Sequence, residues 1–311
     1  MSHFDDYSFD SVDFLLLAGG SDHRAYQILR LCHGKGIKIQ RVLIFNFSER
    51  VDGTPSTDVY YDYKNIPYEV TLINCSIVDP VSCLAELQKN LTGIAEENQI
   101  AIDISCFTKP YFFYVLKYLR ERHLIRTALA FYTEPSSYRF PKKGLFNSYH
   151  EAEGPVSIKE IPGFNGTRPR TGTSVLVVQL GFESISLEEI IIDVSPNEMF
   201  LVNGFPSYAP KFKDISLSIN EAYTANKDNI ILYSSSNNPF EVFNLLEKLK
   251  KNFQNGFLNI APLGTKPMAL GACMFAILNP DVKVVFPFSE KYEKVTTDQY
   301  WNSWVYEIPF Q

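Results

Sequence analysis

Short apolar runs alternate with longer stretches of helical periodicity along most of the chain. Apolar runs of about four to eight residues are typical of buried strands, whereas apolar residues at every third or fourth position are typical of helices that face a core. In the first half, strands are predicted at 14–18, 42–47, 70–74, 100–105 and 127–132. Helices are predicted at 22–34, 80–95 and 110–123. This alternation predicts βαβ crossovers and a mainly parallel sheet.

The second half repeats the alternation. Its strands are predicted at 175–180, 199–202, 229–233, 257–261 and 282–286. Its helices are predicted at 186–194, 211–224, 239–253 and 267–278. The predicted fold class is therefore α/β, with two tandem Rossmann-like parallel-sheet halves over residues 1–140 and 174–311. The intervening segment 141–173 is rich in turn-forming Gly and Pro, which predicts a linker.

Similar sequence blocks recur in the same order in both halves, which predicts an internal duplication. Thr108-Lys109-Pro110 matches Thr265-Lys266-Pro267, 157 residues further on, and Asn46 matches Asn203 at the same spacing. An Asx-Pro pair opens a helix in each half, as Asp79-Pro80 and as Asn238-Pro239. Small changes of spacing between other blocks are what loop insertions produce. We therefore expect the two halves to descend from one ancestral unit.

Composition and net charge reduce the number of function classes that fit this chain. A chain of 311 residues is long enough for about two domains, and 45% hydrophobic residues can fill ordinary cores. The formal net charge of -6 argues against direct binding of duplex nucleic acid or of an anionic membrane surface. The first ten residues do not resemble a signal peptide, and no apolar run is long enough to span a membrane. We expect a cytoplasmic protein.

The loop after the first strand of each half carries candidate ligand contacts. These residues are Gly20, Ser21 and Asp22 in the first half and Gly181 and Glu183 in the second. Glycine lets the backbone approach a ligand closely, and Ser21 or Asp22 can cap the following helix. A tight turn with a helix cap would explain the same residues without a ligand.

The Thr-Lys-Pro turn of each half is the second candidate. Proline suits the first turn of a helix, so Thr108 and Thr265 are predicted at or near the cap. Free backbone N–H groups and the helix dipole favour an anion there, and Lys109 and Lys266 add positive charge. Gly264 would let the second turn approach a ligand more closely. A capped helix whose lysine points to water is the alternative interpretation.

The sequence disfavours several other kinds of functional site. Neither a GxxxxGK(S/T) phosphate loop nor a GxGxxG or GxSxG motif is present. The five histidines are scattered through the first half and the predicted linker without metal-ligand spacing, so a histidine-ligated metal is not predicted. No cofactor is predicted either. Cys106 and Cys273 lie in apolar surroundings and are interpreted as buried thiols. His23 and Arg24 are interpreted as part of a solvated helix start.

The segment 259–272, NIAPLGTKPMALGA, resembles the strand, Gly-Thr-Lys and apolar-helix motif of CARF-type sensor domains. Those are Rossmann-like domains that dimerise to bind cyclic oligoadenylates in prokaryotic defence. Two such halves in one chain resemble the SAVED sensors, in which two CARF-like units are fused. The ligand-binding residues that this resemblance implies are Gly20, Ser21, Asp22, Thr108, Lys109, Gly181, Glu183, Gly264, Thr265 and Lys266.

The resemblance implies a sensor that binds a nucleotide-like anion, such as a cyclic oligonucleotide, at the cleft between the two halves. It leaves room for a separate effector protein as partner in antiviral defence. The alternative is an enzyme that acts on a phosphorylated small molecule or nucleotide, with Lys266 holding phosphate and Glu183 or Asp22 as base. The symmetry of the motifs favours the sensor, whereas asymmetry between the halves would favour the enzyme, so the sequence leaves enzymatic activity open.

Overall fold

The computed structural model describes residues 1–20, 22–47, 67–94, 97–137, 152–167, 172–182, 184–254, 256–292 and 300–310. The chain divides into two compact units. The first comprises Met1–Phe140, Glu151–Glu153 and Glu290–Gln311. The second comprises Pro141–His150 and Gly154–Ser289. Both units are α/β, which confirms the predicted fold class.

The first unit is built on one mixed sheet. Its strands are β1 (Ser2–His3), β2 (Ser11–Ala18), β3 (Lys38–Phe47), β4 (Glu69–Cys75), β5 (Ile100–Asp103), β6 (Thr127–Pro135) and, from the end of the chain, β13 (Tyr300–Pro309). Its helices are α1 (Gln27–Gly34), α2 (Leu84–Asn90) and α3 (Lys109–Glu121). The strand order is β1-β13-β6-β5-β2-β3-β4, and β2 to β6 run parallel. Leu15, Leu16 and Leu17 of central strand β2 are fully buried, as expected of a parallel strand covered on both faces.

The second unit is built on another sheet of parallel strands. Its strands are β7 (Ala152–Asn165), β8 (Ser174–Gln179), β9 (Glu198–Gly204), β10 (Ile230–Ser234), β11 (Phe257–Pro262) and β12 (Lys283–Tyr292). Its helices are α4 (Ser184–Val194), α5 (Pro210–Ile219), α6 (Glu221–Thr224), α7 (Pro239–Asn252) and α8 (Lys266–Leu278). The strand order is β10-β9-β8-β11-β12-β7, and β8 to β12 run parallel.

The five parallel strands follow one order in both sheets. Numbered along the chain within each unit, the order is third, second, first, fourth, fifth: β4-β3-β2-β5-β6 and β10-β9-β8-β11-β12. The first and fourth strands are neighbours in this arrangement, so the loops that follow them leave the sheet side by side. A shared order is what duplication requires, whereas common descent stays a prediction.

Two boundaries differ from the sequence-based prediction of a linker over 141–173 and a second half over 174–311. Strand β13 joins the first sheet, where it runs antiparallel to β6. Its Val305, Tyr306 and Ile308 side chains are buried, and its backbone pairs with an edge that would otherwise expose hydrogen-bonding groups. The predicted linker contains β7, the edge strand next to β12. Proline is tolerated on edge strands, so the turn-forming residues that suggested a linker fit this position.

Helix α8 starts from the carboxyl edge of the second sheet and is buried along most of its length. Ten consecutive residues, Pro267–Ala276, are buried, as expected of a helix that is apolar on all sides. A Cβ atom on Gly271 would lie 2.2 Å from the carbonyl oxygen of Pro239, so α8 and α7 pack backbone to backbone at this glycine. The start of α8 is therefore held in place by tight packing.

Candidate functional site

Eight of the ten predicted site residues lie in the described part of the chain, and Ser21 and Glu183 fall outside it. In the first unit, Gly20 and Asp22 follow β2, and Thr108 and Lys109 follow β5. In the second unit, the corresponding loops follow β8 and β11 and contain Gly181, Gly264, Thr265 and Lys266. Because β2 neighbours β5 and β8 neighbours β11, each unit brings its two candidate loops to one edge of its sheet.

Asp22 forms a buried ion pair with Arg24. The Asp22 carboxylate accepts hydrogen bonds from the backbone N–H of Arg24 at 2.9 Å and from its Nη2 at 2.8 Å, and both side chains are less than 10% exposed. Asp22 thus caps the 3-10 turn His23–Tyr26, as its position predicted. The prediction that Arg24 is solvated is wrong, because Arg24 is 5% exposed and its Nη1 reaches the carbonyl of Thr133 at 3.5 Å.

Charge holds this pair together despite its burial. Burial by itself lowers the pKa of the Arg24 guanidinium, but the charge and hydrogen bonds of the Asp22 carboxylate, together with contributions from Cys106 and Tyr132, raise it well above its usual value. Both carboxylate oxygens of Asp22 accept hydrogen bonds from Arg24. A carboxylate bound in this way is a poor general base, which weakens the catalytic role considered for Asp22.

A buried polar network continues along the same edge of the first sheet. Asp103, at the end of β5, accepts hydrogen bonds from the backbone N–H and the hydroxyl of Ser105 at 3.0 and 2.5 Å. The Ser105 hydroxyl in turn accepts from the backbone N–H of Thr133 at 2.8 Å. Glu134 is 3% exposed and accepts from Trp304 Nε1 of β13 at 2.7 Å. The C-terminal strand thus reaches the edge that carries the candidate loops of this unit.

The Thr-Lys-Pro turn of the first unit is held through a tyrosine. Thr108 is the N-cap residue of α3, but its hydroxyl makes no capping bond and is a buried atom with no hydrogen-bond partner among the described residues. Tyr111, one turn into α3, instead donates its hydroxyl to backbone carbonyls in the loop after β4, to Ser76 and to Asp79. Tyr111 is fully buried, and burial raises the pKa of its hydroxyl.

The second unit holds its turn through the threonine itself. Thr265 caps α8: its hydroxyl accepts from the backbone N–H of Met268 at 3.4 Å and donates to the carbonyl of Ser236 at 2.5 Å. Ser236 lies in the loop after β10, the counterpart of the loop after β4 in strand order. Both turns are therefore tied to the loop after the third strand, but through different residues.

Close packing between loops accounts for both candidate glycines of the second unit. A Cβ atom on Gly181 would lie 2.3 Å from the carbonyl oxygen of Leu263, so the loops after β8 and β11 touch there. A Cβ atom on Gly264 would lie 3.1 Å from the Cβ of Gln179 at the end of β8. The carbonyl of Gly181 also accepts from Asn220 Nδ2 at 3.1 Å. These contacts explain the two glycines without a ligand, and a role in binding stays a prediction.

The two candidate lysines open equally long helices. Lys109 is the first residue of α3 and Lys266 the first of α8, both of 13 residues, and both lysines are partly exposed. The start of such a helix presents backbone N–H groups and the positive end of its dipole. An anion at either helix start would therefore be stabilised by the helix dipole and by one lysine.

The sequence-based predictions did not place Gln179, Ser236 and Trp304 at the sheet edges that carry the candidate loops. Gln179 and Ser236 are almost fully buried next to the candidate loops of the second unit. A polar residue that ends an otherwise apolar strand, as Gln179 does in SVLVVQ, was a usable signal for the edge of the sheet. Trp304 could not be placed, because its segment was assigned to the other half.

A cavity of about 490 Å³ lies elsewhere in the second unit. It opens at the starts of β9 and β10, the opposite end of the strands from the candidate loops, and Asn197, Glu198 and Asp228 are among its lining residues. None of the predicted site residues lines it. In the described ranges of the chain, no group of three or more His, Cys, Asp or Glu side chains is arranged to hold a metal ion.

The strand order of the two sheets defines an α/β protein with a Rossmann-like arrangement in each unit. No family model matches the chain, and no curated protein matches it. A similar solved structure is the crystal structure of the cytoplasmic domain of a prokaryotic cation chloride cotransporter, with a TM-score of 0.25 and 8% identity over 90% of this chain and 96% of that chain. A TM-score this low supports no functional argument. No helix of the described residues is long and apolar enough to cross a bilayer.

Proposed function

We propose that this chain is a ligand-binding sensor that recognises a nucleotide-like anion at its Thr-Lys-Pro turns. The observation that carries the proposal is the placement of these turns. Each one starts a 13-residue helix at the carboxyl edge of a parallel sheet, beside the loop after the first strand. Open α/β sheets bind ligands at this edge, and a helix start with an adjacent lysine favours an anion.

Binding alone, without chemistry on the ligand, is supported by the carboxylates near these turns. Asp22 is bound to Arg24, and Glu134 accepts from Trp304, so both are engaged in hydrogen bonds of the first unit. A carboxylate that acts as the general base must be able to take a proton from the substrate. The enzymatic alternative, in which Lys266 would hold a phosphate, therefore has to rely on Glu183, which lies outside the described residues.

A thermal-shift panel of nucleotides, cyclic oligonucleotides and sugar phosphates tests the proposal. A ligand at 100 times its Kd raises the free energy of unfolding by about 2.7 kcal/mol, which is a readily measured shift in Tm. Mass spectrometry of the recovered ligand then separates sensing from catalysis. An unchanged ligand supports the sensor, and a converted ligand supports the enzyme.

Lysine variants connect any binding to the proposed sites. We expect Lys109→Ala and Lys266→Ala each to weaken the binding of a hit by about tenfold or more, because each removes a charged contact to the anion. Lys248→Ala is the matched control, because Lys248 is an exposed lysine within α7, away from a helix start. Unaltered binding in both test variants would rule out the proposed anion sites.

A further inference from the structure

The side chain of Met268 fills a narrow space between two glycines of the second unit. Met268 lies in the first turn of α8 and is fully buried. A Cβ atom on Gly264 would lie 3.1 Å from the Met268 sulfur, and one on Gly204, at the end of β9, would lie 3.3 Å from it. The thioether therefore fits only because neither neighbour carries a side chain.

Polar side chains flank the same space. A Cβ atom on Gly264 would also lie 3.1 Å from the Cβ of Gln179, and one on Gly204 would lie 3.1 Å from the Cβ of Ser236. Ser234 pairs with Gly204 across β9 and β10. Gln179, Ser234 and Ser236 are 0, 5 and 2% exposed. We name the set formed by Gln179, Gly204, Ser234, Ser236, Gly264 and Met268 the Met268 pocket.

Three polar atoms of the Met268 pocket have no hydrogen-bond partner within the described residues: Gln179 Oε1, Ser234 Oγ and Ser236 Oγ. Buried polar atoms in folded proteins are almost always hydrogen-bonded, because leaving them unpaired costs the full desolvation of the group. The three atoms belong to residues that flank the Met268 side chain, and a polar ligand that displaced the thioether could pair with them. A thioether is only a weak acceptor and cannot donate to Gln179.

The orientation of the Gln179 amide defines which hydrogen-bonding group a ligand in this space must carry. Gln179 Nε2 donates to the backbone carbonyl of Met268 at 2.9 Å, which leaves Oε1 as the free acceptor of the side chain. An acceptor oxygen requires an N–H or O–H donor on the ligand. The two serine hydroxyls can donate or accept, so they suit a neighbouring ring nitrogen or carbonyl of the same group.

We propose that the Met268 pocket is a specificity pocket for the exocyclic amino group of a nucleobase, closed by Met268 when no ligand is bound. The inference rests on the proposed function, since it assigns the base of the nucleotide-like anion whose charged group lies at the start of α8. Ser236 connects the two sites, because its carbonyl accepts from Thr265, the cap of that helix. Methionine suits a movable closure, because its unbranched side chain has three rotatable bonds.

Paired nucleotides that differ at one substituent test the inference. Adenosine and cytidine monophosphates carry an amino group where inosine and uridine monophosphates carry an oxo group, which cannot satisfy Gln179 Oε1. We expect the wild-type chain to bind at least one amino-bearing member about tenfold or more tightly than its oxo partner, measured by calorimetry. Gln179→Leu should abolish this preference, because it removes the acceptor.

Removal of the closing side chain provides a second readout. Met268→Ala should tighten binding of the preferred amino-bearing nucleotide by about tenfold, because the ligand no longer has to displace the thioether. Met274→Ala is the matched control: Met274 lies further along α8 and is 5% exposed, so it suffers a similar loss of packing away from the Met268 pocket. Met274→Ala should leave affinity within about twofold of wild type.

The outcomes separate this inference from the function on which it rests. Equal binding of amino- and oxo-bearing nucleotides, with affinity still lost in Lys266→Ala, overturns the Met268 pocket and leaves the anion site standing. Absence of any Lys266-dependent binding in wild type and in Met268→Ala overturns both. The wild-type comparison of paired nucleotides needs no variant, so the inference stays testable even if Met268→Ala fails to fold.

Discussion

The hydroxyl of Thr265 donates to the backbone carbonyl of Ser236 at 2.5 Å and so ties the start of α8 to the loop after β10. In the first unit the corresponding tie is made by Tyr111, and the Thr108 hydroxyl has no partner among the residues that the structure describes. The two identical Thr-Lys-Pro sequences thus make different contacts. The two turns should respond differently to the same substitution.

We expect Thr265→Val to lower the free energy of unfolding by about 1–2 kcal/mol, because it removes a helix cap and the bond to Ser236. Thr108→Val should change it by less than about 0.5 kcal/mol or raise it, because it removes a buried hydroxyl without a partner. Urea unfolding of both variants measures the difference, provided that the m-value is unchanged. Equal losses in the two variants would contradict the assigned contacts.

Gly181 should tolerate no side chain. A Cβ atom there would lie 2.3 Å from the Leu263 carbonyl oxygen, so Gly181→Ala must push apart the loops after β8 and β11. We expect a loss of about 1–3 kcal/mol or more in the free energy of unfolding. Gly34→Ala is the matched control, because nothing lies within 4 Å of a Cβ atom there.

Since Gly34 ends α1, alanine should be neutral at that position or should stabilise by up to about 1 kcal/mol. Calorimetric Tm values of wild type and of both glycine variants provide the comparison. If Gly181→Ala were as stable as Gly34→Ala, the close approach of the two loops would be ruled out.

Arg24→Met should destabilise the protein strongly. It leaves the Asp22 carboxylate buried without its guanidinium partner, a change that typically costs about 3–5 kcal/mol. The double variant Arg24→Met/Asp22→Asn should lose less than Arg24→Met alone, because asparagine removes the stranded charge and keeps an oxygen for the cap. Denaturant unfolding of both variants checks this order of stability, and the reverse order would show that the pair is not coupled as described.

Cys106 should be the first cysteine to react in the folded protein. It is only partly buried, whereas Cys32, Cys75, Cys83 and Cys273 are buried, and no two of these five described cysteines form a disulfide. Burial raises the pKa of the Cys32 thiol to about 12, with a contribution from Asp103, so almost no thiolate is present there near pH 8.

Iodoacetamide labelling at pH 8, followed by peptide mass spectrometry, should therefore modify Cys106 at least about tenfold faster than Cys32. Cys106→Ser should remove the fast phase, and urea should make all five thiols reactive. Rapid labelling of Cys32 in the folded chain would contradict its burial. The prediction that Cys106 is buried is wrong, because this thiol is partly exposed. The predicted burial of Cys273 is confirmed.

Much of the fold could be predicted from the sequence, because the signals are local. Each of the ten predicted strands and seven predicted helices has a counterpart in the structure, with ends displaced by a few residues. The predicted helix 211–224 is divided at Asn220 into α5 and α6. The Asx-Pro pairs act as expected: Asp79 and Asn238 each accept from the backbone N–H two residues further on.

The candidate site was predictable only in outline. Strand order follows from pairing between distant segments, so local sequence patterns place β13 by proximity along the chain, next to the wrong sheet. The buried Arg24 side chain contacts the Thr133 carbonyl, which lies more than one hundred residues away. Likewise, the contact of the Gln179 side chain with the Met268 carbonyl joins residues that are 89 positions apart.

The sequence alone determined where strands, helices and caps form, because residue periodicity, proline and Asx side chains act over one or two turns of backbone. The tertiary structure alone decided that Gly181 contacts Leu263, that Thr265 rather than Thr108 holds its turn, and that the last strand joins the first sheet. Those contacts join residues far apart in sequence, and their stability comes from close packing and burial, which no short window of residues encodes.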